Sequence, residues 1–114
     1  MRQSLSAVTL LAAIALSGCL CSEETVVKRP APDERHVAAV VRRGCGATTS
    51  DAAQIVIRGR WSFRSHAAVV MDEPAHSELE WRSPSELLVK HSPSRVYEDE
   101  SVVDGVHIRR LLTP

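Results

Sequence analysis

The stretch Gln54–Arg64, with the sequence QIVIRGRWSFR, decides the fold class. Its odd positions carry apolar or small side chains, and its even positions are mostly polar. A period of two places these sets on opposite faces of a β-strand. We therefore predict one strand over Gln54–Arg64, with Trp61 and Phe63 on the apolar face and a bulge or bend at Gly59.

Strand signals continue on both sides of this stretch. The run His36–Arg43 is β-branched and ends at Gly44, and Ala67–Met71 is a further apolar run. Residues 78–91 alternate around a Ser-Pro-Ser turn and predict a hairpin. Asp104-Gly105 predicts a last hairpin, because a type I′ turn needs positive φ at both central residues. The fold class is mostly β: a small antiparallel sheet or sandwich of five to seven strands.

Length and charge limit the function. The chain has 114 residues, which suffices for one folded domain, and its 14 basic side chains balance its 14 acidic ones. A general nucleic-acid binder needs a basic surplus to release counterions from phosphates, so we exclude nucleic acid as a partner.

The amino terminus predicts export. A short basic start precedes Leu5–Leu16, which has the length of a secretory h-region and falls short of the roughly 20 apolar residues that span a bilayer. The next residues, Leu16-Ser17-Gly18-Cys19, resemble the lipobox of bacterial lipoproteins. The resemblance implies cleavage before Cys19 and a diacylglyceryl group on its thiol. The alternatives are an ordinary secretory signal or an uncleaved anchor.

The resemblance to lipoproteins also implies a location in the cell. Two or more acyl chains, such as palmitate, hold a protein on a membrane where a single chain would not. Leu20, and not the Asp that retains such proteins at the inner membrane, follows Cys19. In a Gram-negative cell the outer membrane is then favoured. We divide the chain into a signal peptide (1–18), a lipidated tether rich in charge and proline (19–34) and a small β domain (35–114).

Residues 31–110 resemble a family of small uncharacterised bacterial proteins, often with a lipobox. The segments that carry the resemblance follow one another in that family's order: Ala31-Pro32-Asp33, the strand over 38–43, Cys45-Gly46-Ala47-Thr48-Thr49, Gln54-Ile55-Val56-Ile57, Leu79-Glu80-Trp81 and Val103-Asp104-Gly105-Val106. Glu34 stands where the family has Gly, which questions the tight first turn, and Gly44 stands where it has Asp. The resemblance implies a fold and no activity.

Two cysteines remain after lipidation of Cys19. Cys21 and Cys45 could form a disulfide in an oxidising compartment, or Cys45 could be a free buried thiol. A thiol enzyme or redox protein would use Cys45 with a histidine base: His36, His66, His91 or His107. The loop Gly44–Ser50 could instead bind an anion or another ligand through its backbone N–H groups.

The remaining polar patterns predict neither a metal site nor a cofactor. The five histidines lack metal-ligand spacing, and no Cys pair has C-x-x-C spacing. Arg58, Arg60 and Arg64 share one face of the predicted strand, where guanidinium groups could contact anionic lipid, lipopolysaccharide or an acidic partner. The alternative is a solvated face that pairs with Glu78, Glu80 and Glu98–Glu100.

Together these patterns favour a membrane-anchored envelope lipoprotein whose domain is a non-enzymatic binding or structural module. The bilayer contacts it through acylated Cys19, and a second envelope partner is unknown. The competing classes are the thiol enzyme at Cys45 and the ligand-binding loop Gly44–Ser50.

Overall fold

The computed structural model describes residues 21–44 and 51–114. The predictions on the signal peptide (1–18), on Cys19 and on Cys45 lie outside these residues.

Two sheets share a single core. The first sheet has the order β1-β2-β3-β4-β7 and the second has the order β5-β6-β9-β8, and every neighbouring pair is antiparallel except β6 with β9. The prediction of a mostly β sandwich is confirmed, although the described residues form nine strands, more than the five to seven expected. The strands are β1 (Ser22–Pro30), β2 (His36–Gly44), β3 (Ala52–Gly59), β4 (Ser65–Asp72), β5 (Ser77–Ser83), β6 (Glu86–His91), β7 (Val96–Asp99), β8 (Val102–Val103) and β9 (Val106–Leu112).

Strand β3 is the central strand of the first sheet, and its odd residues form much of the core. Ala53, Ile55 and Ile57 are all buried, as their alternation predicts. They pack in one cluster with side chains of the second sheet such as Leu87 and Val106. Burial of this apolar surface is the main favourable contribution to folding.

Strand β4 departs from strict alternation at a bulge. Ala68 and Val69 are adjacent in sequence, yet both are fully buried. The register with β3 pairs Val69 with Ile55 and Ala67 with Val56, so Ala68 is the extra residue. A bulge of this kind turns two successive side chains toward one face.

The expectation that residues 19–34 are a tether is wrong for Ser22–Pro30. These residues form β1, which pairs along its length with β2 and whose Arg29 carbonyl accepts a hydrogen bond from the Trp81 indole at 3.0 Å. An edge strand needs neighbours on one side only, and most side chains of β1 are exposed. The polar, proline-ended sequence therefore lacks the alternation by which buried strands are recognised. Three features of β1 protect this edge from further pairing: the bulge near Val26, the charged side chain of Lys28, and Pro30.

The expectation of one strand over Gln54–Arg64 is also wrong beyond Gly59. Strand β3 ends there, and residues 60–64 form the turn into β4. Two hydrogen bonds hold this reversal: Arg60 N–H donates to the Arg35 carbonyl at 2.8 Å, and Ser62 N–H donates to the Gly59 carbonyl at 3.1 Å. Trp61 and Phe63 consequently leave the core and are exposed.

Two turns place non-glycine residues in the left-handed region. Asp104 (φ 50°) and Gly105 (φ 77°) form the predicted turn, which joins β8 to β9. Glu34 (φ 60°) lies in the turn between β1 and β2. The first turn therefore forms without glycine, at the cost of a conformation that L-residues rarely adopt.

Replacing Ile55 by Ala should lower the free energy of unfolding by about 2–5 kcal/mol, because the change removes buried methylenes and leaves a cavity. Ile55 is fully buried. Val26, which is 49% exposed, offers the matched control, and Val26→Ala should change stability by under about 0.5 kcal/mol. Equal losses for both variants, measured by urea denaturation, would contradict the assignment of β3 to the core.

Glu34→Gly should raise the free energy of unfolding by about 1 kcal/mol, because glycine adopts positive φ without steric cost. Glu34→Ala is the control: it removes the same carboxylate but keeps the Cβ atom. The glycine variant should unfold at a higher urea concentration than the alanine variant, and the reverse order would show that Glu34 is not strained.

Candidate functional site

The sandwich has two ends with different chemistry. The proximal end carries Cys21, which immediately precedes β1, together with Gly44 and Asp51. The distal end carries the turns 31–35, 60–64 and 104–105. The nine residues of β1 run from one end to the other, a length of about 30 Å. Every candidate site can be assigned to one of these ends or to a face between them.

The distal end projects an aromatic tip, which we define as residues 60–64, Arg-Trp-Ser-Phe-Arg. The Trp61 side chain is 86% exposed and Phe63 is 103% exposed. The Arg60 guanidinium lies 4.9 Å from the centre of the Trp61 ring, within the range of a cation–π contact. The Arg64 N–H donates to Ser62 Oγ at 3.1 Å. The backbone of the tip is thus held while its two largest apolar groups face water.

The predicted arginine stripe does not exist as one strand face. Arg58 lies on β3, whereas Arg60 and Arg64 lie in the turn beyond it, because the chain reverses after Gly59. The acidic partners expected from the sequence are wrong as well. Arg60 contacts Glu34 at 3.4 Å, and Glu80 contacts Lys90 at 3.0 Å and Arg82 at 3.8 Å.

Four basic side chains at the distal end have no carboxylate within 4.0 Å among the described residues: Lys28, Arg29, Arg58 and Arg64. Lys28 and Arg58 line a shallow groove on the outer face of the first sheet, above Val37, Ala39 and Val56. The outer face of the first sheet therefore combines unpaired positive charge with apolar side chains close to the aromatic tip.

A polar cleft lies beside the tip. It encloses about 610 Å³, and it is lined by residues of all three distal turns. His36 Nε2 lies 3.1 Å from Asp104 Oδ2. The other ring nitrogen, Nδ1, is buried without a hydrogen-bond partner in the described part of the chain. The pair His36–Asp104 joins β2 of the first sheet to the turn before β9 of the second sheet.

His91 is also structural. It is fully buried, with Nδ1 2.8 Å from the Ser92 carbonyl and Nε2 3.3 Å from Arg110 Nη1. Because a carbonyl can only accept, Nδ1 carries the proton and Nε2 accepts from Arg110. Arg110 also donates to Asp99 at 2.8 Å, and this hydrogen bond raises the pKa of its guanidinium. The network links β6 and β9 to β7 of the other sheet.

The outer surface of the second sheet is charged and internally paired. The Lys90 ammonium donates to the Glu80 carboxylate and lowers the pKa of that carboxyl. Arg109 lies 4.0 Å from Glu86. Tyr97, on β7, donates to Asp72 at 2.8 Å, which raises the pKa of the phenol. Compared with the distal end, these surfaces leave little charge without a partner.

Two features are absent from residues 21–44 and 51–114. No group of three or more His, Cys, Asp or Glu side chains is placed to ligate a metal. Over the same ranges, no helix has the length and hydrophobicity that crossing a bilayer requires. Of the candidate bases, His66 and His107 are exposed on β4 and β9.

Cys21 is disulfide-bonded, and its partner lies outside the described residues. The chain has two other cysteines, Cys19 and Cys45. Ser22, which follows Cys21, pairs with Gly44, which precedes Cys45. Gly44 is tightly surrounded, because a Cβ atom there would lie 2.9 Å from the Asp51 carboxylate. The start of β1 is therefore fixed covalently as well as by its pairing with β2.

Comparison of the chain with protein-family models, with curated proteins and with solved structures found no match.

Sequence reasoning missed the cleft because its members are far apart along the chain. His36 and Asp104 are separated by 68 positions, and no local pattern joins them. One signal in the sequence could have indicated that Trp61 and Phe63 are exposed: Gly59, where the sequence predicts a bulge or bend and where strand β3 ends.

We predict that Trp61→Ser/Phe63→Ser leaves the urea unfolding midpoint nearly unchanged, within about 0.5 kcal/mol, because exposed side chains contribute little to the core. Trp81→Ala provides the contrast, since Trp81 packs against the core and its indole bonds β1. That variant should lose about 3 kcal/mol or more. A large loss in the tip variant would mean that its aromatic residues are structural.

Proposed function

We propose that this chain is a membrane-anchored lipoprotein of the bacterial cell envelope, and that its β-sandwich is a non-enzymatic binding module that acts through its distal end. The observation that carries the binding role is the exposure of Trp61 and Phe63 at a tip flanked by arginines. Tryptophan and arginine dominate the energetics of recognition surfaces. A globular domain has no structural reason to keep two of its few aromatic side chains in water.

The lipid anchor is proposed from Leu16-Ser17-Gly18-Cys19 and from the apolar stretch before it. The described residues add a geometric consequence. Because β1 begins at Ser22 and Cys21 is disulfide-bonded, only Leu20 would separate an acylated Cys19 from the bonded start of the domain. The anchor would then lie beside the proximal end, and a protein held there could not move far from the lipid surface.

A disulfide between Cys21 and Cys45 is part of this proposal. The pairing of Ser22 with Gly44 favours it, since continuing this antiparallel register by one residue matches position 21 with position 45. Such a bridge closes a loop of roughly 25 residues, worth about 3 kcal/mol in the chain-entropy model. A bridged Cys45 has no free thiol, which disfavours the thiol-enzyme alternative. The ligand-binding alternative at Gly44–Ser50 has no supporting observation among the described residues.

The polar side chains of the distal cleft contact one another within the domain. His36 is directed at Asp104 through one nitrogen, and its second nitrogen is buried. Ser62 lines the cleft, and its hydroxyl accepts from the Arg64 N–H. The proposed binding role therefore rests on the exposed tip and not on this cleft.

Metabolic labelling with an alkyne analogue of palmitate tests the anchor. The full chain expressed in a bacterial host should incorporate the label and sediment with membranes. Cys19→Ala should lose the label, whereas Cys21→Ala should keep it, because only the first cysteine follows the small residues of the lipobox. Label on Cys19→Ala, or an unlabelled and unprocessed wild-type chain in the cytosol, would contradict the proposal.

Peptide mapping under non-reducing conditions tests the disulfide. We expect a cross-linked peptide that contains Cys21 and Cys45 and that disappears on reduction. A linkage between Cys19 and Cys21 would contradict both the bridge and the acylation of Cys19, because a cysteine in a disulfide cannot carry a thioether.

A further inference from the structure

The unpaired charges at the distal end suggest what the aromatic tip contacts. Four cations there lack a carboxylate partner within the described residues, and Lys28 and Arg58 belong to the outer face of the first sheet. The acidic residues of the distal turns, Asp33, Glu34 and Asp104, already lie beside Arg35, Arg60 and His36, respectively. The chain has a formal charge of zero, and the charge left without a partner at the distal end is positive.

The tip itself has the composition of an interfacial membrane contact. Trp and Phe are the side chains that enter the boundary between headgroups and acyl chains, and Arg donates to phosphate oxygens with its apolar stem buried. Arg60 and Arg64 flank the aromatic pair, and the fully exposed Phe63 protrudes without a surrounding rim. A hot spot for a protein partner normally lies within a rim that excludes water, whereas the fully exposed Phe63 fits a soft lipid interface better.

The outer face of the first sheet connects this tip to the anchor. It runs from Glu23, paired with Arg43 at 3.7 Å, to Lys28 and Arg58 at the distal end. Val37, Ala39, Val41 and Val56 form its apolar part. With a single-residue link to the lipid, the domain can either stand on its proximal end or lie along this face. Anionic lipid favours the second orientation, because each basic side chain at such a surface is attracted to it.

We propose that the aromatic tip is a second membrane-contact site, which inserts Trp61 and Phe63 into a bilayer containing anionic phospholipid and so holds the sandwich flat on the membrane. This inference rests on the proposed function, because the acyl anchor supplies the high local concentration that a small aromatic insertion needs. The partner is the anionic headgroup surface, not a specific lipid.

Depth-dependent quenching tests the orientation with the full-length, lipidated protein. The protein is reconstituted into vesicles of phosphatidylcholine with or without phosphatidylglycerol, with bromine atoms on the acyl chains. The chain has two tryptophans, so the difference between wild type and Trp61→Phe isolates Trp61 and leaves Trp81 in place. We expect strong quenching of Trp61 on phosphatidylglycerol vesicles, weaker quenching on phosphatidylcholine alone, and a decrease at high salt.

Charge variants supply the matched comparison. Arg64→Gln should lower the ratio of inserted to free tip about fivefold on anionic vesicles, the effect of one cation at such a surface. Arg109→Gln is the control, because Arg109 is an exposed arginine on the outer surface of the second sheet, which faces away from the lipid when the domain lies along the first sheet. It should leave the quenching unchanged.

The outcomes separate the two proposals. Protein that floats with the vesicles but leaves Trp61 unquenched would overturn the insertion while the anchor stands. A photocrosslink from position 63 to an envelope protein, with Trp61 unquenched, would assign the tip to a protein partner and likewise overturn the inference. Protein that does not float at all would overturn the anchor and the insertion together.

Discussion

The antiparallel registers of β1 with β2 and of β2 with β3 determine where every candidate functional residue lies. Ser22 is opposite Gly44, and His36 is opposite Gly59. The first pairing brings the amino-terminal side of the domain to one end of the sheet. The second brings the turn after Gly59 to the other end, next to the turn that carries Glu34. Burial of Ile55 and Ile57 maintains these registers, because a slip of one residue would turn the core side chains of β3 outward.

These constraints explain why the two ends differ in chemistry. The proximal end is held by the disulfide at Cys21 and by the close approach of the Asp51 carboxylate to Gly44. The distal end is made of turns, which can carry arginine, tryptophan and phenylalanine without disturbing the core. His36–Asp104 and Trp81–Arg29 tie the two sheets together near these turns. The tip is thus held on a rigid support, which is what a small contact surface needs in order to bind.

Much of the fold was predictable from local patterns, and the site was not. The alternation in β3 predicted the buried faces of residues 53–57, and Asp104-Gly105 predicted the last turn. Polar and apolar side chains also alternate over residues 60–63, but these residues lie in a turn and not in a strand. A hydrogen bond between Arg60 and Arg35 ends the strand at Gly59, and sequence periodicity does not contain that contact. Strand β1 was not predicted, because its side chains show almost no alternation of polar and apolar residues. Its pairing with β2 is what makes it a strand.

The central claim is that the tip of an acylated protein contacts lipid at the end of the domain farthest from Cys21. The most direct measurement is photocrosslinking in living bacteria, with a benzophenone amino acid in place of Phe63 and, as a second site, in place of Arg109, which is exposed on the outer surface of the second sheet. The account predicts phospholipid adducts from position 63 and far fewer from position 109, identified by mass spectrometry. Position 63 crosslinked to protein alone, or lipid adducts from position 109 at the same yield, would contradict it.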